Sequence, residues 1–125
     1  MTYLYFLKNA HTMLKRFEVQ FMAPALDFLK GLPMAARKKI LYNLERASER
    51  NDSELMKKLD EDIWEFRAQS QGIQYRILAF WDRDSKRLVV ATHGFVKKTD
   101  KVPGGEIRRA RSLRSQYIIE NNQRP

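Results

Sequence analysis

Three consecutive runs, IWEFRAQ, GIQYRILAFW and RLVVATHGFV, dominate the second half of this chain and are separated only by SQG and DRDSK. All three are rich in β-branched and aromatic residues, and both connections are too short and polar to hold a crossover helix. Successive strands joined this way pair as an antiparallel meander, which fixes the centre of the fold before anything else is known.

The first half must supply what covers that sheet. RFEVQF puts Phe17, Val19 and Phe21 on one side and Arg16, Glu18 and Gln20 on the other, the period of a half-buried strand that is free to join either edge. Pro24 permits a first helical turn, and Ala25, Leu26, Phe28, Leu29 and Leu32 give a short apolar-faced helix ending near Gly31. A second helix opens at Pro33 with Ile40, Leu41, Leu44 and Ala47 inward and Arg37, Lys38, Lys39, Arg46 and Arg50 outward. Asn51, Asp52 and Ser53 end it, and a turn around Leu55 and Leu59 leads to the acidic Asp60, Glu61 and Asp62. A last helix over about 105–121 buries Ile107, Ala110, Leu113 and Tyr117.

The expected architecture is an α+β domain in the order β-α-α-β-β-β-α. It has an antiparallel sheet of about four strands, an N-terminal helical hairpin, a C-terminal helix, and the helices on one face. Residues 16–121 form this single domain. Residues 1–15 read as an extension without a function: YLYF fits an edge strand as well as a helix, and Met13 is an alternative start.

Among the 125 residues, 24 Lys and Arg stand against 15 Asp and Glu, a formal charge of +9 that draws phosphate-rich or acidic partners. The chain has no cysteine, so disulfides and thiolate zinc sites are excluded. Only His11 and His93 offer imidazole, and no metal or other cofactor is expected. No apolar run approaches the ~18 residues of a membrane span. The opening MTYLYFLKNA is a poor signal peptide, which leaves the cytoplasm as the expected compartment. Gly-rich phosphate loops, nucleophile elbows and Ser/His/Asp orders are absent from the sequence.

The chemistry-bearing residues gather on the meander. If the first hairpin turns over Gln69–Gly72, Ala68 pairs with Ile73, Arg67 faces Gln74 and Glu65 faces Arg76. These four share one side of the sheet, while Trp64, Phe66, Ile73, Tyr75 and Ile77 share the other. Arg67 and Arg76 are then either solvated strand residues, Arg76 paired with Glu65, or a clamp that holds one phosphodiester bidentately. Lys97 and Lys98 close the last strand and Lys101 lies in the turn beyond, either as a solvated cap or as cations converging on the same phosphate. Phe95 is core or a surface for base stacking, and His93 is a packed core histidine or a proton-transfer group. Arg108, Arg109, Arg111 and Arg114 line the outer side of the last helix, placed to grip nucleic-acid backbone or an acidic partner.

With E-F-R in one strand, Q-Y-R in the next, H-G-F-V-K-K-T closing the last, a proline shortly after and an Ile/Arg/Ala-rich final helix, the chain resembles the HigB-like branch of the RelE/ParE toxin superfamily. The resemblance covers about residues 16–120, and HGFVKKTDKVP is its most specific part. It implies a RelE-like fold and the toxin of a type II toxin–antitoxin pair, neutralised by a cognate antitoxin, often a helix-turn-helix protein, through which alone it meets DNA. It also implies a ribosome-dependent endoribonuclease that cleaves messenger RNA by attack of the ribose 2′-hydroxyl on the adjacent phosphorus. Arg67 and Arg76 correspond to the strand arginines that hold and polarise the scissile phosphate, and Lys97 and Lys98 to further cations. For the base the sequence offers His93, a lysine or a tyrosine, with a lysine or arginine-assisted path ranked first and His93 second. A gyrase-inhibiting ParE-like toxin and a non-catalytic RNA-binding relative are the alternatives the same scaffold leaves open.

Overall fold

The computed structural model describes residues 15–122, so the expectations for residues 1–14 lie outside the described residues. The elements are β1 (Glu18–Phe21), α1 (Ala23–Lys30), α2 (Met34–Glu49), β2 (Met56–Lys58), β3 (Trp64–Ser70), β4 (Ile73–Trp81), β5 (Leu88–Lys97) and α3 (Gly104–Asn122). The α+β class and the order of elements agree with the sequence reading.

Three features of the sheet differ from it. The sheet has five strands in the order β1-β5-β4-β3-β2, because Met56–Lys58, expected as a turn, pairs antiparallel with Trp64–Phe66. β1 joins the β5 edge and runs parallel to it, Glu18 beside Leu88 through Phe21 beside Ala91, so the sheet is mixed. The helices also cover both faces. Phe66, Ala68, Tyr75, Ile77, Ala79, Val89 and Ala91 pack under α1 and α2, while Leu78, Phe80, Val90 and Phe95 form a second core with Ala110 of α3.

The helical hairpin packs by a narrower stripe than expected. Ala25 and Leu29 of α1 and Ala36, Ile40, Leu44 and Ala47 of α2 are buried, but Leu26 and Leu41 are exposed. Two arginines read as surface charge close helix ends instead. Arg37 Nε donates to Leu29 O at 3.0 Å and its Nη2 to Leu32 O at 3.2 Å, satisfying carbonyls at the end of α1. Arg16 Nη2 donates to Ala47 O at 2.6 Å and Arg50 O at 3.0 Å at the end of α2. No helix among the described residues is long and apolar enough to cross a membrane.

One irregularity decides which side chains of β5 face which core. Leu78 pairs with His93 but Ala79 with Ala91, so Thr92 is the extra residue of a β-bulge. Thr92 Oγ1 donates to Leu78 O at 3.1 Å there. The bulge reverses the alternation, so that Val89 and Ala91 face the helical hairpin whereas His93, Phe95 and Lys97 share the side of Leu78, Arg76 and Gln74.

Gly94 consequently faces α1, and a Cβ there would lie 2.2 Å from Phe28 Cδ2 and 2.7 Å from Ile77 Cδ1. Gly94→Ala should cost about 1 to 3 kcal/mol through overpacking. Thermal unfolding should show a lower Tm, partly restored in the double variant with Phe28→Leu; an unchanged Tm would mean that α1 does not sit this close to β5.

Candidate functional site

The site begins at the β3–β4 turn. Ser70 pairs with Ile73, so the loop holds two residues, Gln71 and Gly72, with φ of 52° and 79°. Two positive φ values in a two-residue loop match the type I′ turn, whose twist suits a hairpin. The expected four-residue turn was too long, and the true register places Arg67 opposite Arg76 and Glu65 opposite Leu78. The change is an even one, so the sides are unchanged: Glu65, Arg67, Gln69, Gln74 and Arg76 still share a face.

Arg67 and Arg76 are an unusual pair to set directly across two strands, since like charges there repel. Glu65 offsets the repulsion. Its Oε1 lies 3.6 Å from Arg67 Nε and its Oε2 3.5 Å from Arg76 Nε. The Arg76 and Glu65 side chains are 3% and 4% exposed, the Arg67 side chain 30%. Arg76 Nη1 also donates to Tyr75 O at 2.9 Å and to Gln74 Oε1 at 3.4 Å. Burial pushes Arg76 below its ordinary pKa, Glu65 opposes that shift and Arg67 adds to it, but a guanidinium has a wide margin and stays charged. Both Nε atoms and Glu65 Oε2 are buried without a hydrogen bond. Two cations thus share one anion at ion-pair distance, a cluster that keeps a positive charge and unused donors.

This cluster opens into a cleft of about 580 Å³ lined by Lys39, Asn43, Glu54, Arg67, Ala68, Gln69, Gln71, Gly72, Gln74 and Arg76. The cleft exists because β2 stops early: its last pairing on that side is Met56 with Phe66, followed by Arg67 N–H donating to Leu55 O at 2.9 Å. Beyond that point α2 forms the far wall. Asn43 is buried and its Nδ2 donates to Arg67 O at 2.9 Å, tying α2 to the arginine strand. The sequence reading missed Lys39, Asn43, Glu54, Gln69 and Gln71 as lining residues. Asn43 carried a legible signal, since a polar side chain one turn from Ala47 and three residues after Ile40 sits inside an apolar stripe and must find a partner.

The other candidates divide. Lys97 is half-buried opposite Gln74, next to the arginine row. Lys98 and Lys101 are exposed in the following loop, where Thr99 Oγ1 donates to Lys101 O at 2.7 Å. Phe95 is buried with Val102 and Ile107 rather than presented for stacking. His93 is 1% exposed beneath α3, with Nε2 3.1 Å from Glu106 Oε1 and Nδ1 3.1 Å from Thr92 Oγ1. On α3, Arg111 pairs with Asp60 and Arg114 approaches Asp62 at 3.9 Å, while Arg108 and Arg109 are exposed. Among the described residues no three His, Asp or Glu side chains group as a metal site requires.

Glu65→Gln should cost on the order of 3 kcal/mol, because two partly buried guanidiniums lose their shared counter-charge. Sulfate should then raise the Tm of the variant more than that of the parent, and an equal response would show that the pair needs no counterion. Burial holds His93 below its ordinary pKa of 6.5, against the hydrogen bond and charge of Glu106, and the like charge of Arg109 adds to the shift. The unfolded chain therefore binds this proton more readily. Stability should be lost as pH falls below about 6.5, and His93→Gln should flatten that part of the melting profile.

Comparison with known proteins bears on the family of the chain. No curated protein matches the chain. The model of the family described as "Phage derived protein Gp49-like (DUF891)" matches residues 27–115, more than two thirds of the chain. That span runs from α1 into α3 and contains every residue lining the cleft. The chain belongs to this Gp49-like family, a family of toxins of toxin–antitoxin systems in the RelE/HigB-like superfamily, and membership implies a cognate antitoxin as its partner.

Proposed function

We propose that this toxin is an endoribonuclease that cleaves messenger RNA on the translating ribosome, with the cleft at Arg67 and Arg76 as its active site. The observation that carries the reading is the direct opposition of two arginines in a polar cleft, with one carboxylate between them. A fold gains nothing from placing two guanidiniums there, whereas a phosphodiester gains a bidentate cradle.

In this reading the substrate 2′-hydroxyl oxygen attacks the adjacent phosphorus, the bond from phosphorus to the 5′-oxygen breaks, and the products are a 2′,3′-cyclic phosphate and a 5′-hydroxyl end. Negative charge grows on the phosphoryl oxygens, and donors already aimed there stabilise the transition state without reorganising. Arg67 and Arg76 fill that role, with Lys97 beside them. The 2′-hydroxyl proton needs an acceptor in the cleft and the leaving oxygen a donor. Glu54 and Lys39 line it and are the groups to which we assign these transfers. His93 lies under α3 and serves packing in this scheme.

Induction in a bacterium should arrest translation, and mapped message ends should fall within codons. Arg67→Ala should lower cleavage by about 100-fold or more while the variant keeps its melting transition. Arg76→Lys should retain part of the activity, since it keeps the charge and loses the fork. Growth arrest with intact transcripts and an induced DNA-damage response would overturn the assignment in favour of gyrase inhibition.

A further inference from the structure

The cleft changes character along its length. Arg67 and Arg76 occupy one row of the β3–β4 hairpin, and the next row on the same side, towards the turn, is Gln69 opposite Gln74. Two residues along a strand is a step of about 7 Å. Beyond that row stands Gln71 at the turn itself, also lining the cleft.

A phosphate calls for donors alone. A primary carboxamide offers a donor and an acceptor side by side, which is what the edge of a nucleobase presents. The main chain adds to this. Arg67 N–H and C=O face away from β4, bonded to Leu55 and Asn43, so by two-residue alternation the N–H and C=O of Gln69 also point outward, at the part of the β3 edge that β2 does not reach. Gln74 Oε1 accepts from Arg76 Nη1, which orients its amide and links the cationic row to the amide row. Arg76, only 3% exposed and with its Nε 3.5 Å from Glu65 Oε2, lines the same cleft.

Gln71 supplies an independent sign. Its φ of 52° lies in the left-handed region, where a type I′ turn favours Asn or Gly. Stability would therefore select a different residue at this turn, while a longer amide reaches further into the cleft.

We infer that the hairpin end of the cleft is a nucleobase subsite, where Gln69, Gln71 and Gln74 read the base of the nucleotide whose phosphate rests on Arg67 and Arg76. The inference rests on the RNA-cleavage reading and adds where its sequence preference is set. Lys39 stands on the opposite wall of the same opening.

The test is titration of the full chain with the 3′- and 5′-monophosphates of the four nucleosides, and with inorganic phosphate as reference, followed by calorimetry. At least one nucleotide should bind fivefold or more tightly than phosphate, and one base should be preferred. In Gln69→Ala/Gln71→Gly that preference should fall to about unity, with a melting temperature unchanged or raised because glycine suits the turn. Nucleotides binding no better than phosphate, or a base preference that survives the double variant, would overturn the subsite. Cleavage of ribosome-bound message with the same sequence pattern in parent and double variant would overturn the subsite and leave the nuclease standing. Base-selective binding without any cleavage would do the reverse.

Discussion

Glu65 is the residue on which the site depends. Arg67 directs its main-chain N–H and C=O away from β4, so Arg67 and Arg76 form the closer, non-hydrogen-bonded kind of cross-strand pair, with Cα atoms about 4.5 Å apart. Two guanidiniums carried on such a pair repel, and Arg76 has little water around it to screen the repulsion. One carboxylate reaching both Nε atoms makes the arrangement tolerable without neutralising it. The contacts with Glu65 are made by Nε, and Arg76 Nη1 donates to Tyr75 O and Gln74 Oε1. A second acid would have turned this cluster into a closed ion-pair network.

The second constraint is the bulge at Thr92. Sheet sides alternate strictly, so a regular β5 would have turned His93, Phe95 and Lys97 towards the helical hairpin. With one extra residue they come to the side of Arg76, where His93 and Phe95 pack under the start of α3 and Lys97 extends the cationic edge. α3 occupies the half of that face formed by Leu78, Phe80 and Val90, and the half nearest the β3–β4 turn remains open. The open half is thus a consequence of where α3 begins, and the arginine row lies on the part of that face that α3 does not cover.

What was legible in the sequence follows the range of the interaction that decides it. The sides of β3 and β4 were readable because alternation is local, and they survived a wrong turn length because the error in register was even. The turn itself was misread because Gln71 is not a residue that announces positive φ. β2 was missed because MKK is too short to alternate, and its pairing is set by Trp64–Phe66 rather than by its own composition. The helix-closing roles of Arg16 and Arg37 were hidden for a similar reason: an arginine on the outer side of a strand or a helix looks solvated until the neighbouring helix end is known. Lys39 and Glu54 joined the site only through the packing of α2 and the β2 approach on β3, contacts that span tens of residues. The resemblance to RelE/HigB-like toxins pointed to the two arginines, but it did not indicate their shared counterion.

The charge of +9 must be read in the same divided way. Arg16, Arg37 and Arg87 spend donors on main-chain carbonyls, and Arg111 and Arg114 meet Asp60 and Asp62. The cations left on the outside, such as Lys98, Lys101, Arg108 and Arg109, act at a distance on any polyanion, and salt screens that attraction within about 8 to 10 Å. Arg76 and Glu65 lie where solvent and salt reach poorly. The surface and the cleft therefore answer to different conditions. Raising ionic strength weakens the approach of a polyanion to the surface well before it loosens the arginine pair, so binding lost in salt reports on the surface and leaves the cleft intact.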